Sequence, residues 1–401
     1  MSADKQLISH TGEKKEARNP YYLHAAHVYR MLKWGTLLLF TLYLVCMLVW
    51  QRESITYDNL LYLIRDLQIS SDTEEGFASV TYESQQNMLF GSFQNHLAVV
   101  GSSGVRMYDG AGRCVLTDAL SYKNPVLESG EKYMLLYDAG GTEYALFTTL
   151  ARVEQGSSEF PLQYAAVGDS GAYCTVTRSD ETKYKVTLYN AAFMETAGYY
   201  LDSYVTAAAV HPSGRSVAVL TLMSQEWSIV SGVTFYSASS REMFQVSLGD
   251  SLPVSARYLA NGTLTVICDD CVVYISEDGK ILSRTGFASA ALDGFSVSDN
   301  KVALICRENV LGSTSRILVL DSAGKTLFDE FRAGKVISVT ASSTENAAYI
   351  LYSDTVETVS VQGTSSIPYT GHLHAVREVS RIPILCFADG ACAMQEIQKE
   401  Q

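Results

Sequence analysis

The sequence is short of positive charge. Lys and Arg total 30 against 43 Asp and Glu in 401 residues, a net charge of −13. Six of the basic residues (Lys5, Lys14, Lys15, Arg18, Arg30 and Lys33) precede the long apolar run, so everything after it is more acidic still. Such a body repels phosphate, which argues against nucleic acid or anionic lipid as its ligand. Calcium loops of the Asp-x-Asp-x-Asp-Gly kind are missing. Clustered His, Cys or carboxylate motifs are missing as well, so no catalytic constellation, metal site or cofactor is expected. Tryptophan is rare too: there are three, and two of them, Trp34 and Trp50, bracket the one long hydrophobic run.

That run is 31–50, MLKWGTLLLFTLYLVCMLVW. Roughly 20 apolar residues at ~1.5 Å rise cross a hydrocarbon core of ~30 Å. Lys33 can snorkel to the headgroups, and indole rings favour the interface. A cleaved signal peptide would have a shorter apolar region and a small-residue cleavage site, and neither is present. The expectation is a single transmembrane helix. The basic residues before it place the N-terminus in the cytoplasm and the body outside. Residues 1–30 then read as a disordered cytoplasmic tail, and residues 51–75 as a juxtamembrane helix and linker. Asp58 is the candidate helix cap, with Leu60, Leu61, Ile64 and Leu67 at helical spacing.

Residues 76–398 keep one texture: short runs rich in Val, Ile, Tyr, Thr and Leu between Gly, Asp, Asn and Ser clusters. One turn recurs in MYDGAGRCVLT (107–117), LYNAAFMETAG (188–198), YISEDGKILSR (274–284) and VLDSAGKTLFD (319–329). Another recurs in AAVHPSGRSVAVLTL (208–222) and YLANGTLTVIC (258–268). Self-similarity at ~40 residues with several strands per unit predicts a β-propeller. The units parse as 85–121, 122–162, 163–205, 206–251, 252–289, 290–334, 335–371 and 372–398, giving seven or eight blades. The last unit is short of a strand, and FASVTY (77–82) is placed to supply it and close the ring. A pair of β-sandwiches is the main alternative, and a β-helix, which needs stricter periods, a weaker one.

The turn family and HPSGRSVAV (211–219) resemble the blade turns of WD40-like and related bacterial propellers, although the Trp-Asp dipeptide of true WD40 blades is missing. The order of basic tail, apolar helix, TYDNLLYLIRDL (56–67) and propeller also resembles an uncharacterised family of bacterial single-pass membrane proteins with an extracytoplasmic propeller. That resemblance implies architecture and no catalytic residue. Only Trp227 lies in the body, against the repeated tryptophan docking motifs of quinone-dependent propellers. Sialidase Ser-x-Asp-x-Gly-x-Thr-Trp boxes do not occur.

Local candidates are few. Gly168-Asp169-Ser170-Gly171 matches a serine-protease tetrapeptide, but it is also ordinary turn composition, and the only Ala-Ala-His near-match, His24-Ala25-Ala26-His27, lies on the expected cytoplasmic side. His372 and His374 fall on one face of a strand without a placeable third ligand. Asn261-Gly262-Thr263 is a sequon and, more simply, a hairpin turn. Of eight cysteines, Cys46 lies in the apolar run. Cys268 and Cys271 flank a two-residue turn that would set their thiols opposite each other. Cys386 and Cys392 flank Ala388-Asp389-Gly390-Ala391 as near-diagonal neighbours. Both pairs are possible disulfides outside the cytoplasm, with buried free thiols the competing reading. Asp269 and Asp270 should raise the neighbouring thiol pKa values, against redox catalysis.

The functional expectation is a membrane-anchored, non-enzymatic binding or scaffolding module for an envelope protein or polymer. The alternatives are a ligand sensor signalling through the membrane helix to a cytoplasmic partner, and a carboxylate-based hydrolase or lyase.

Overall fold

The computed structural model describes residues 20–50 and 77–399, apart from 86, 226, 240, 288–290, 308–313, 344 and 361–362. The first unit is a helix, Pro20–Trp50. It begins at Pro20 rather than Met31, so residues 20–30 are helical and not part of a disordered tail. Proline suits a first helical turn because its missing N–H would have no partner there. No helix of the described residues is long and apolar enough to cross a membrane. The described side chains of this helix end at Val45, and those of Cys46–Trp50 lie outside that description. The expected tail before residue 20 and the juxtamembrane helix at 51–75 also lie outside the described residues.

The second unit is an eight-bladed β-propeller, each blade a four-stranded antiparallel sheet. Blades 1 to 7 span residues 89–118, 125–157, 162–201, 204–249, 253–286, 291–333 and 338–368, so the unit boundaries expected from the turns hold closely. Blade 8 takes three strands from 373–393 and its outermost strand, Val80–Thr81, from the other end of the propeller's sequence. Val80 pairs with Ala391 and Thr81 with Gly390. Tyr82 secures the join: its hydroxyl donates to the carbonyls of Phe387 and Gly390 at 2.9 and 2.7 Å. Ring closure removes the open ends that a linear stack of sheets would expose. After Ala393 the chain turns directly into a short helix, Met394–Lys399, where Glu396 accepts a hydrogen bond from Ser79 at 2.6 Å.

Eight apolar clusters hold the ring. Each joins consecutive blades, from Val105, Met107, Leu136 and Phe147 between blades 1 and 2 round to Phe90, Val99, Ile384 and Cys386 between blades 8 and 1. The second strand of a blade is covered on both faces, which is why His96–Val100 and Leu264–Cys268 are continuously buried rather than alternating.

The recurrent turn has one physical cause. In blade 1 the Asp109 carboxylate accepts backbone N–H bonds from Ala111 and Arg113 at 3.0 and 2.8 Å. Asp321 does the same for Ala323 and Lys325, and the Asn190 side-chain oxygen for Ala192 and Met194. Ser276 accepts from Lys280 N at 3.1 Å. The third residue after the cap must then enter the left-handed region, which glycine adopts freely: Gly112, Gly279 and Gly324 have φ of +80°, +78° and +78°. Blade 3 places Phe193 there instead, at φ +64°.

Candidate functional site

Blade 4 departs from the pattern. Its second and third strands, Ser216–Gln225 and Ser228–Ser237, have ten residues each, and among the described residues no second or third strand of another blade exceeds eight. Pairing runs without a break from Ser216↔Ser237 to Gln225↔Ser228. The inner strand stops at the Tyr204↔Leu222 pair and the outer strand at Ser231↔Gly249. Residues 223–225 and 227–230 therefore leave the sheet as a two-stranded ribbon with no strand beside either edge among the described residues. Free ribbons of this kind are marginal alone, so this one is carried by the blade beneath it.

The ribbon is apolar where it should be polar. Met223 and Val230 pair on one face, and Ile229 lies on the other. Trp227 stands in the turn with its whole side chain in solvent, 101% exposed. At the same end of the sheets, Tyr200 and Tyr204 are exposed, with the ammonium groups of Lys185 and Lys183 over their rings. Leu252 and Val254, at the crossing into blade 5, are exposed too. Exposed aromatic and methionine side chains gathered on one face mark binding surfaces.

The central channel is built differently. Arg257, on the inner strand of blade 5, reaches across the ring and donates to the Ser129 carbonyl on the inner strand of blade 2 at 3.1 Å. Glu128 beside it is enclosed by protein, which pushes its carboxyl pKa up while Arg257 opposes that. Tyr164 and Tyr258 complete the wall of a ≈ 40 Å³ cavity, room for a few water molecules. Arg377 of blade 8 donates to the Phe90 carbonyl of blade 1 at 2.8 Å. The same cavity wall carries a second carboxylate, Asp169, beside Glu128 and the Arg257 guanidinium.

Near one rim, Glu378 accepts hydrogen bonds from Ser342 Oγ, Ser343 N, Ser343 Oγ and Tyr349 OH at 2.6–3.2 Å. The same Ser342 offers its carbonyl to Lys301 Nζ at 3.1 Å. This network fastens blades 6, 7 and 8 and has no open coordination position.

The residues singled out from sequence fall as follows. Gly168–Gly171 is the turn between the first two strands of blade 3, with Gly171 at φ +88°. His374 stacks on Phe90, ring centroids 6.1 Å apart, and no group of three His, Cys, Asp or Glu able to hold a metal occurs among the described residues. Asn261-Gly262 is a hairpin turn, Asn261 accepting from Thr263 N. Cys268 and Cys271 sit opposite each other one rung beyond Ile267↔Val272, both thiols free. Cys386 and Cys392 do not face each other. Cys386 pairs with Ala391 and Cys392 with Leu385, so their side chains stand on opposite faces of blade 8. A bond between them would need the backbone to move, because a disulfide requires converging Cβ vectors. The ribbon itself escaped the sequence reading. Its signal is the absence of a turn residue at its tip: no glycine or proline separates Gly214 from Gly232.

The chain belongs to DUF5711, a family of unknown function whose model matches residues 71–371. No curated protein matches it. Among solved structures, a eukaryotic initiation factor is 11% identical over 78% of this chain and 83% of its own, with a TM-score of 0.50. The β-propeller domain of Cps50 (Swd1) from Myceliophteria thermophila is 13% identical over 69% and 96%, with a TM-score of 0.49. At such identities the likeness concerns the propeller fold alone, and a fold does not by itself assign a function.

Proposed function

We propose that this propeller is a binding or scaffolding module, held at a membrane by its N-terminal helix, that engages an envelope protein or polymer outside the cytoplasm. The observation that carries the reading is the projecting ribbon of blade 4 with Trp227 at its tip. A ring held by its interblade clusters has no folding need for eight residues beyond the sheet. Exposing Trp227 to water has no structural benefit, whereas tryptophan is among the residues most often found at the energetic centre of interfaces. The anchor rests on the apolar composition of 31–50, its two flanking tryptophans and the basic residues before it.

The test uses the full-length chain in its native membrane with a photo-crosslinking side chain in place of Trp227. A partner captured there, and lost from a probe placed on the opposite end of blade 4 at Ser239, supports the reading. Capture only by a probe in residues 1–30 would overturn it in favour of a sensor whose partner is cytoplasmic.

A further inference from the structure

Blade 5 carries two buried free thiols in the apolar cluster it shares with blade 4. Cys268 ends its second strand and Cys271 begins its third, with only Asp269 and Asp270 between. Antiparallel residues directly opposite have Cα atoms ~4.5–5.5 Å apart, inside the ~4.4–6.8 Å range of disulfides. Both side chains lie in that one apolar cluster between blades 4 and 5, so they face the same side of the sheet. Both are buried, yet only one rung beneath a turn whose two aspartates are exposed.

A polar cluster surrounds Cys271. Its sulfur lies 3.6 Å from Ser251 Oγ, and Ser251 Oγ accepts from Arg284 at 2.5 Å. Against its partial burial, the Asp270 carboxyl is held below its ordinary pKa by Ser251, Cys271 and Arg284. The neighbouring Cys268 holds the Cys271 thiol below its ordinary pKa, with burial opposing, and Cys271 together with burial pushes Cys268 up. Asp270 raises both thiols, as expected, but for Cys271 the influence of Cys268 and Ser251 outweighs it.

We propose that Cys268 and Cys271 form a reversible dithiol–disulfide site that exchanges with small-molecule disulfides. Cys271 thiolate attacks one sulfur of a disulfide RSSR, the S–S bond breaks, and RS⁻ leaves, giving a Cys271–S–S–R mixed disulfide. Cys268 then loses its proton to solvent and its sulfur attacks Cys271 Sγ. That bond forms as the mixed disulfide breaks and a second RS⁻ departs. The two leaving thiolates take up the two protons. The dithiol is oxidised by two electrons and RSSR is reduced to two RSH. The turn must lift for the first attack, a local opening far smaller than unfolding. The site also adjoins the ribbon, because Ser231 at the ribbon's base donates to the Ser251 carbonyl.

The test equilibrates the full-length chain with glutathione disulfide, alkylates remaining thiols, and reads the tryptic peptide containing both cysteines by mass spectrometry. The expected product carries no alkyl group and is two hydrogens lighter, and it returns to the doubly alkylated form after dithiothreitol. In Cys268→Ser, Cys271 should retain one glutathione. In Cys271→Ser, Cys268 should retain at least tenfold less in the same time. A wild-type peptide that stays doubly alkylated overturns the proposal, as does oxidation that joins either cysteine to a different one. These readouts stand apart from partner capture at Trp227, so the two ideas can fail separately.

Discussion

Blade 8 and blade 4 are the two extremes of one ring. Blade 8 is pared down: its four strands have seven, six, four and two residues, and the last is borrowed from upstream of blade 1. Blade 4 is oversized, with strands of seven, ten, ten and nine. Both nonetheless contribute a full apolar face to each neighbour. The difference teaches that the ring is held by side chains between blades, and that strand length beyond those faces is free to serve another purpose. Length missing from blade 8 is replaced by a single tyrosine; length added to blade 4 is not used by the fold.

The largest expected effect comes from attacking the pared-down blade. Tyr82→Ala removes a buried ring and both hydrogen bonds of the closure, and should cost about 3–5 kcal/mol in urea unfolding. Tyr82→Phe keeps the ring and should cost only about 1–3 kcal/mol, the penalty of leaving polar partners without their donor. Equal losses for the two would mean that packing alone closes the propeller.

A smaller effect separates the channel from both blades. Burial raises the folded pKa of Glu128 above its unfolded value of about 4.3. Its contribution to stability is therefore fully present below that unfolded pKa and is lost as pH rises through the folded one. Subtracting the Glu128→Gln variant from wild type in urea melts over a pH series should show this decline. Parallel curves would remove Glu128 from the account.

The oversized blade should barely respond. Replacing 223–230 by Asn-Gly joins Leu222 to Ser231, which already pair, through a favoured two-residue turn. Stability should change by less than about 1 kcal/mol, as for surface changes generally, while partner capture disappears. A loss of several kcal/mol would show that the ribbon belongs to the fold after all. The smallest effect is Phe193→Gly. It relieves about 1 kcal/mol of left-handed backbone cost but forfeits the ring contact with Tyr133, centroids 5.4 Å apart, so the net should lie within about 1 kcal/mol of zero.

Much of the ring was legible because its signals are local. Asp109, Asn190, Ser276 and Asp321 each cap a turn within four residues, so the repeat shows in a linear string. FASVTY was recognisable as a strand lacking a hairpin partner of its own, and only two of its residues pair. The site was less legible. Arg257 and the Ser129 carbonyl meet only once the ring has closed, and no nearby residue announces the contact. The ribbon was hidden because exposure depends on where its neighbours stop, a property of register and not of the strand itself. Register also decided the cysteines: spacing correctly opposed Cys268 and Cys271, but one rung of offset turned Cys386 and Cys392 away from each other.

The borrowed strand has a mechanical consequence. Tension on the chain ahead of Phe77 is resisted by buried Phe77, by single bonds at Ala78 and Ser79, and then by Val80–Thr81, the two residues that pair into the ring. Loaded along its length, so short a strand shares the force among few bonds, and the hydroxyl of Tyr82 becomes the catch behind it. Once that catch slips, the seam between blades 8 and 1 loses Phe77, Val80 and Tyr82 together. A propeller tethered by this end would fail at its clasp while the remaining blades stay folded, so the clasp sets the load the whole assembly can bear.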